Sequence, residues 1–127
     1  TAGRSVVLYG NRDMNTAWKL LIRDEEVDLR AGKVRIGGRE FGGNDLACLF
    51  IRPRPDDARA CVVGVGGSSI AGMRLTNRLP YFTPGAGFPD CLLVDGTVYA
   101  KGNAGVVGAG FFGNDWRVAT GSFAWRE

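Results

Sequence analysis

Residues 60–75 read Ala60-Cys61-Val62-Val63-Gly64-Val65-Gly66-Gly67-Ser68-Ser69-Ile70-Ala71-Gly72-Met73-Arg74-Leu75. Ala60 to Val65 is a short β-branched apolar run, the pattern of a buried strand. Gly66-Gly67-Ser68-Ser69 is a tight turn. From about Ser69 to Leu79 a helix is predicted, with Ala71, Leu75, Leu79 and Phe82 near one face and Pro80 ending or kinking it. A strand feeding a helix through a glycine turn is the unit of an α/β layer structure.

The first residues repeat this logic. Ser5-Val6-Val7-Leu8-Tyr9 is an apolar run stopped by Gly10, and Asp13 is positioned to cap a helix starting near Met14. Met14, Ala17, Trp18, Leu21 and Ile22 then form one stripe at helical spacing. Residues 27–41 change period. Val27, Leu29, Val34 and Ile36 alternate with charged residues around Ala31-Gly32, which predicts a half-exposed hairpin. Leu46 to Ile51 is a further strand, terminated by Pro53 and Pro55, and Cys91 to Val94 another. Beyond Asp95 glycines divide the chain into short β-like pieces at Val106-Val107, Phe111-Phe112 and Phe123-Ala124-Trp125. The expected fold class is therefore α/β: a small, partly parallel sheet with two main helices, an inserted β-hairpin and a β-rich C-terminal tail. Residues 1–127 are expected to form one such domain.

Composition narrows the chemistry. With 127 residues, 45% of them hydrophobic and 23% charged, the chain resembles an ordinary globular domain. No apolar run approaches the ~20 residues of a membrane helix, and no signal-peptide pattern opens the sequence. Histidine is absent. A Ser-His-Asp or Cys-His site cannot be completed from this chain, and histidine-ligated zinc is excluded. Net charge is +3, but the signs are mixed, as in Arg23-Asp24-Glu25-Glu26, where a nucleic-acid surface would show a basic stripe. Neither nucleic acid nor membrane is an expected partner, and no cofactor or metal is expected.

Cys48, Cys61 and Cys91 each lie inside an apolar run without a C-x-x-C pair, and read as buried thiols. Export would make a disulfide between two strands available. The sequence does not fix the compartment, and export belongs to any longer parent in the periplasm or outside the cell.

Three constellations could carry function. Gly66, Gly67, Ser68 and Ser69 lie where phosphate binders place glycines, although the dinucleotide fingerprint is incomplete and no P-loop lysine follows. The same turn permits close helix–sheet packing. Ser69 also sits where a nucleophile elbow would place its serine, but lacks a base, and a capping role fits better. Asn11, Arg12, Asp13 and Asn15 follow the first strand. If the strands at Val6 and Val62 run parallel as neighbours, this polar cluster faces the glycine turn across a crevice. Otherwise these residues are turn and cap groups. Phe111, Phe112, Trp116 and Trp125 could form a glycan platform or an interface, and they suit a core equally. An acid–base site using Asp13 or Asp115 with an arginine is a further reading.

Several strings resemble a known group when taken together: residues 7–18 (VLYGNRDMNTAW), 45–55 (DLACLFIRPRP) and 72–82 (GMRLTNRLPYF), with Pro89-Asp90 and residues 110–116 (GFFGNDW). The chain resembles, from about Ser5 to Trp125, the C-terminal region of large bacterial serine hydrolases related to prolyl oligopeptidases and esterases of the α/β-hydrolase type. The resemblance implies that the catalytic serine lies upstream, in a domain joined in cis, and that this chain is the C-terminal part of a longer protein. The absent initiator Met and the absent histidine agree with it. It transfers no active-site residue to these positions. The expected function is a non-catalytic accessory domain supporting the hydrolase's stability or substrate access, with no catalytic residue of its own. The alternative is a carbohydrate- or anion-binding module.

Overall fold

The computed structural model describes residues 4–22, 26–76, 89–97 and 102–126. It is predominantly β. Among the described residues nine strands form two sheets, accompanied by two short helices and a 3-10 turn. The strands are β1 (Val6–Tyr9), β2 (Val27–Arg30), β3 (Lys33–Ile36), β4 (Arg39–Gly42), β5 (Ala47–Arg54), β6 (Asp57–Gly67), β7 (Cys91–Val94), β8 (Val106–Phe111) and β9 (Ser122–Trp125). The helices are α1 (Trp18–Leu21) and α2 (Ile70–Leu75).

The larger sheet has the order β1-β6-β5-β7-β8-β9. Its β1–β6 pair is parallel, with Val6 opposite Val62 and Tyr9 opposite Val65, and the other pairs are antiparallel. The smaller sheet is the antiparallel meander β2-β3-β4. Strand alternation sends Leu8, Cys48, Phe50, Val62, Cys91, Leu93 and Val107 to the inner face of the larger sheet. There they meet Val27, Leu29, Val34 and Ile36 of the meander in one buried cluster. Trp18 seals its end, 2% exposed, with its ring centroid 5.5 Å from that of Phe50. On the outer face Leu75 of α2 packs against Leu49, Val65, Leu92 and Val94. Two β layers share one core, and α2 lies outside them.

This overturns the expected α/β class with two main helices. Of the stripe from Met14 to Ile22, Trp18 and Ile22 are buried and Ala17 and Leu21 half-buried, but Met14 is 63% exposed and only four residues are helical. Asn11 Oδ1 accepts the backbone N–H groups of Asp13 and Met14, and Asn15 Oδ1 accepts that of Ala17. Asparagine side chains thus offer the backbone turns in place of an extended helix. Asp13 does not cap α1, whose first flanking residue is Ala17. The expected hairpin gains a third strand, β4. Pro53 and Pro55 do not end β5 at Ile51. Pro53 lies within the strand beside a register shift at Pro53/Arg54, and β5 and β6 form one long hairpin. The helix predicted from Ser69 is described as far as Leu75; Leu79, Pro80 and Phe82 lie outside the described residues. No helix among the described residues is long and apolar enough to cross a membrane.

Candidate functional site

Parallel pairing of β1 with β6 brings the polar cluster after β1 against the glycine turn after β6. The two meet by direct contact. Gly10, at φ +103°, donates its N–H to Val65 O at 3.0 Å, and Asn11 Nδ2 donates to Gly67 O at 3.0 Å. A Cβ on Gly66 would lie 1.6 Å from Gly10 O, and one on Gly67 would lie 2.3 Å from the backbone of Gly72 and Met73. Both glycines are buried and serve close packing, of β1 on β6 and of the turn on α2.

The remaining polar groups are engaged. Asn11 is 1% exposed and its carboxamide makes the three hydrogen bonds named above. Asn15 Nδ2 donates to Tyr9 O at 2.9 Å, and Asp13 Oδ2 accepts the Ala31 N–H at 2.9 Å, tying the first loop to the hairpin. The buried Ser68 hydroxyl donates to Gly43 O at 2.7 Å and accepts the Leu46 N–H at 3.3 Å. Ser69 donates to Asn44 O and accepts the Gly72 N–H at 3.4 Å, the geometry of a helix cap. Arg12 and Arg30 flank the buried Asp28 carboxylate at 3.4 and 2.8 Å.

Of the four aromatics, Phe112, Trp116 and Trp125 join one inner cluster through Phe123, and Phe111 stands apart from it. Phe111 projects from the outer face, 55% exposed. Phe112 is buried, with the Arg52 guanidinium 4.8 Å from its ring centroid, and Trp116 packs beside it. Arg52 Nη1 donates to Trp116 O, where the backbone takes the left-handed φ of 64°, uncommon for so large a side chain. Trp125 is half-buried and stacked on Phe123 and Phe41, with ring centroids 5.4 and 5.7 Å away. Asp115 is held by the Thr120 hydroxyl and the Arg117 N–H; the Thr120 bond chiefly lowers its pKa, so it is an ionised loop clasp.

The cysteines are free. Cys61 is half-buried, whereas Cys48 on β5 and Cys91 on β7 are buried in the core between the sheets. The hydrogen bond its S–H donates to Cys91, together with burial, pushes the Cys48 thiol up, away from the reactive thiolate. Among the described residues no three Cys, Asp or Glu side chains converge as metal ligands.

A cleft missed by sequence reading lies where the β3–β4 turn meets the loop before β9. It is lined by Glu26, Gly38, Arg39, Arg117, Val118 and Trp125, among others, with a volume of about 360 Å³. The alternation of Arg39 and Phe41 on β4 was its only local signal.

No family model matches the sequence, and no solved structure matches it. An uncharacterized secreted protein of Arthroderma benhamiae is 33% identical over 78 residues, covering 61% of this chain. The match occupies 8% of that protein's length. Its name records neither activity nor domain type.

Proposed function

We propose that the chain is a non-catalytic accessory domain that docks in cis on an upstream serine-hydrolase domain and supports its stability or substrate access. The carrying observation is the outer face of the larger sheet. Val7, Tyr9 and Phe111 are 39%, 48% and 55% exposed there, and half-buried Val63 and Ile51 continue the row from Val7 in register. A row of apolar side chains across several strands is the surface expected of an interdomain contact. Val7 and Tyr9 stand on β1, the strand next to any preceding domain, which favours that domain as the occupant. The far greater length of the fungal relative supports a domain within a larger protein. The engagement of Ser68 and Ser69 in turn and cap hydrogen bonds supports a role without catalysis.

The test compares the full-length parent with its V7K/F111K variant. Loss of parent thermal stability, with the isolated variant domain folding normally by circular dichroism, supports docking; an unchanged parent overturns it. The isolated domain is expected to show no esterase or peptidase turnover. Hydrolysis of a nitrophenyl ester abolished by Ser69→Ala would replace this reading with an enzymatic one.

A further inference from the structure

The cleft between β3–β4 and the loop at residues 117–119 combines three kinds of group. Its apolar wall is half-buried Val118 and exposed Ala119; Ile36 also lines it but is 1% exposed, and the Trp125 ring is covered by Phe41, Phe123 and Gly108 of β8. Arg39 is exposed, with its guanidinium carbon 4.9 Å from the Trp125 ring centroid. Stacking of this kind fixes a guanidinium through its face and leaves the in-plane N–H donors to other partners. Among the described residues Arg39 has no carboxylate partner. Among the described residues Arg117, 62% exposed, has only Glu26 Oε1 as a carboxylate partner, at 3.7 Å from its Nε, which is longer than a hydrogen bond. The Glu26 carboxylate is itself held in place by the Val118 N–H at 3.0 Å, so it is a fixed acceptor on the cleft wall.

Two incompletely neutralised guanidinium groups select a carboxylate or another oxyanion. An apolar wall selects a ring with a C–H face, and a fixed carboxylate acceptor selects hydroxyl donors. A sugar acid meets all three demands. The volume of about 360 Å³ lies at the lower end of the roughly 300–1,000 Å³ of small-ligand clefts. We infer that this cleft binds a uronate residue of an acidic polysaccharide, its carboxylate taken by Arg39 and Arg117, its hydroxyls by Glu26, and its C–H face by the apolar wall. This site lies apart from the outer sheet face, and its occupancy does not depend on docking there.

The test titrates the chain with a galacturonate trimer, a neutral glucose trimer and inorganic sulfate, reading tryptophan emission and calorimetric heat. The galacturonate trimer is expected to bind saturably and the other two to bind at least about tenfold more weakly, the scale of one charge-assisted hydrogen bond. Arg117→Gln should weaken binding by a similar factor. Arg39→Gln should do the same, but it also removes a contact to Trp125. Gly38→Asp therefore provides a second variant. A Cβ at Gly38 meets nothing within 4 Å, so the fold is retained while the new carboxylate repels the ligand. No binding of the galacturonate trimer, equal binding of the neutral trimer or of sulfate, or binding insensitive to Gly38→Asp in the folded protein each overturns the assignment.

Discussion

Asn11 Nδ2 donates to the carbonyl oxygen of Gly67 across 56 positions of sequence, and this single side chain closes the end of the β1–β6 pair. The same carboxamide organises the turn that follows β1 through Asp13 and Met14. Replacing Asn11 by Ala removes all three bonds and strands a buried carbonyl. The expected loss is about 3 kcal/mol, from roughly 0.5–1.5 kcal/mol per bond plus the unsatisfied acceptor. Urea denaturation measures it. A loss below about 1 kcal/mol contradicts the structural role assigned here.

The glycine turn separates packing from binding. Gly66→Ala places a Cβ 1.6 Å from Gly10 O, so β1 must move. It should cost about 3 kcal/mol or more, at the upper end of overpacking. Gly38→Ala enters open space and should lie within about 0.5 kcal/mol of the parent chain. Thermal melts of the pair decide the matter, and a Gly66→Ala protein of undiminished stability would return that turn to the list of ligand sites.

Acid should weaken the fold through Asp95. Partial burial raises its pKa, but hydrogen bonds from Arg126 and Thr97 outweigh this and leave it below the ordinary 3.8. Asp56, bound by the Arg54 fork, and Asp115 are lowered as well. A carboxylate depressed in the folded state contributes stability that is complete above its unfolded value and is lost as pH falls through the folded one. The melting temperature should therefore hold down to about pH 5 and decline below about pH 4. Asp95→Asn should lower the neutral-pH melting temperature and flatten that decline, which a pH series of melts would reveal.

Thiol reactivity should be ordered. Cys61, half-buried, is expected to take iodoacetamide first in the native protein at pH 8. Cys48, enclosed and hydrogen-bonded to Cys91, should react only on unfolding. Peptide mass mapping after native and denatured labelling reads the sites. Early labelling of Cys48 would show that β5 and β7 are not packed as described.

The strands were legible where the local pattern was strong. The apolar runs of β1 and β7 and the turn at Ala31-Gly32 declare themselves through composition and period. β4 did not, because Arg39-Glu40-Phe41-Gly42 has one apolar residue and becomes a strand by pairing with β3. The helices misled for a different reason. The part of the stripe from Ala17 to Ile22 faces inward while Met14 is exposed, and burial beside a sheet requires only a turn or two of helix. Asn11 and Asn15 compete for the backbone there, a contest decided by β6, which anchors Asn11. Of the candidate sites, the approach of Asn11 to the glycine turn followed from parallel pairing, but the absence of room between them depended on atomic distances. The cleft was hidden because Glu26, Arg39, Arg117 and Trp125 come from four separate segments whose convergence is a property of the two sheets together.

β1 stands at the margin of the larger sheet, and among the described residues its sole strand neighbour is β6. During synthesis Val6 to Tyr9 leave the ribosome long before Val62 to Val65, so β1 must wait for its mate. Until then its main-chain donors and acceptors are open to any passing edge. A stall or truncation between residues 10 and 60 leaves a sticky, unmatched ribbon, so the stretch after the Pro55-Asp56 turn sets the earliest moment at which the nascent chain becomes safe from aggregation.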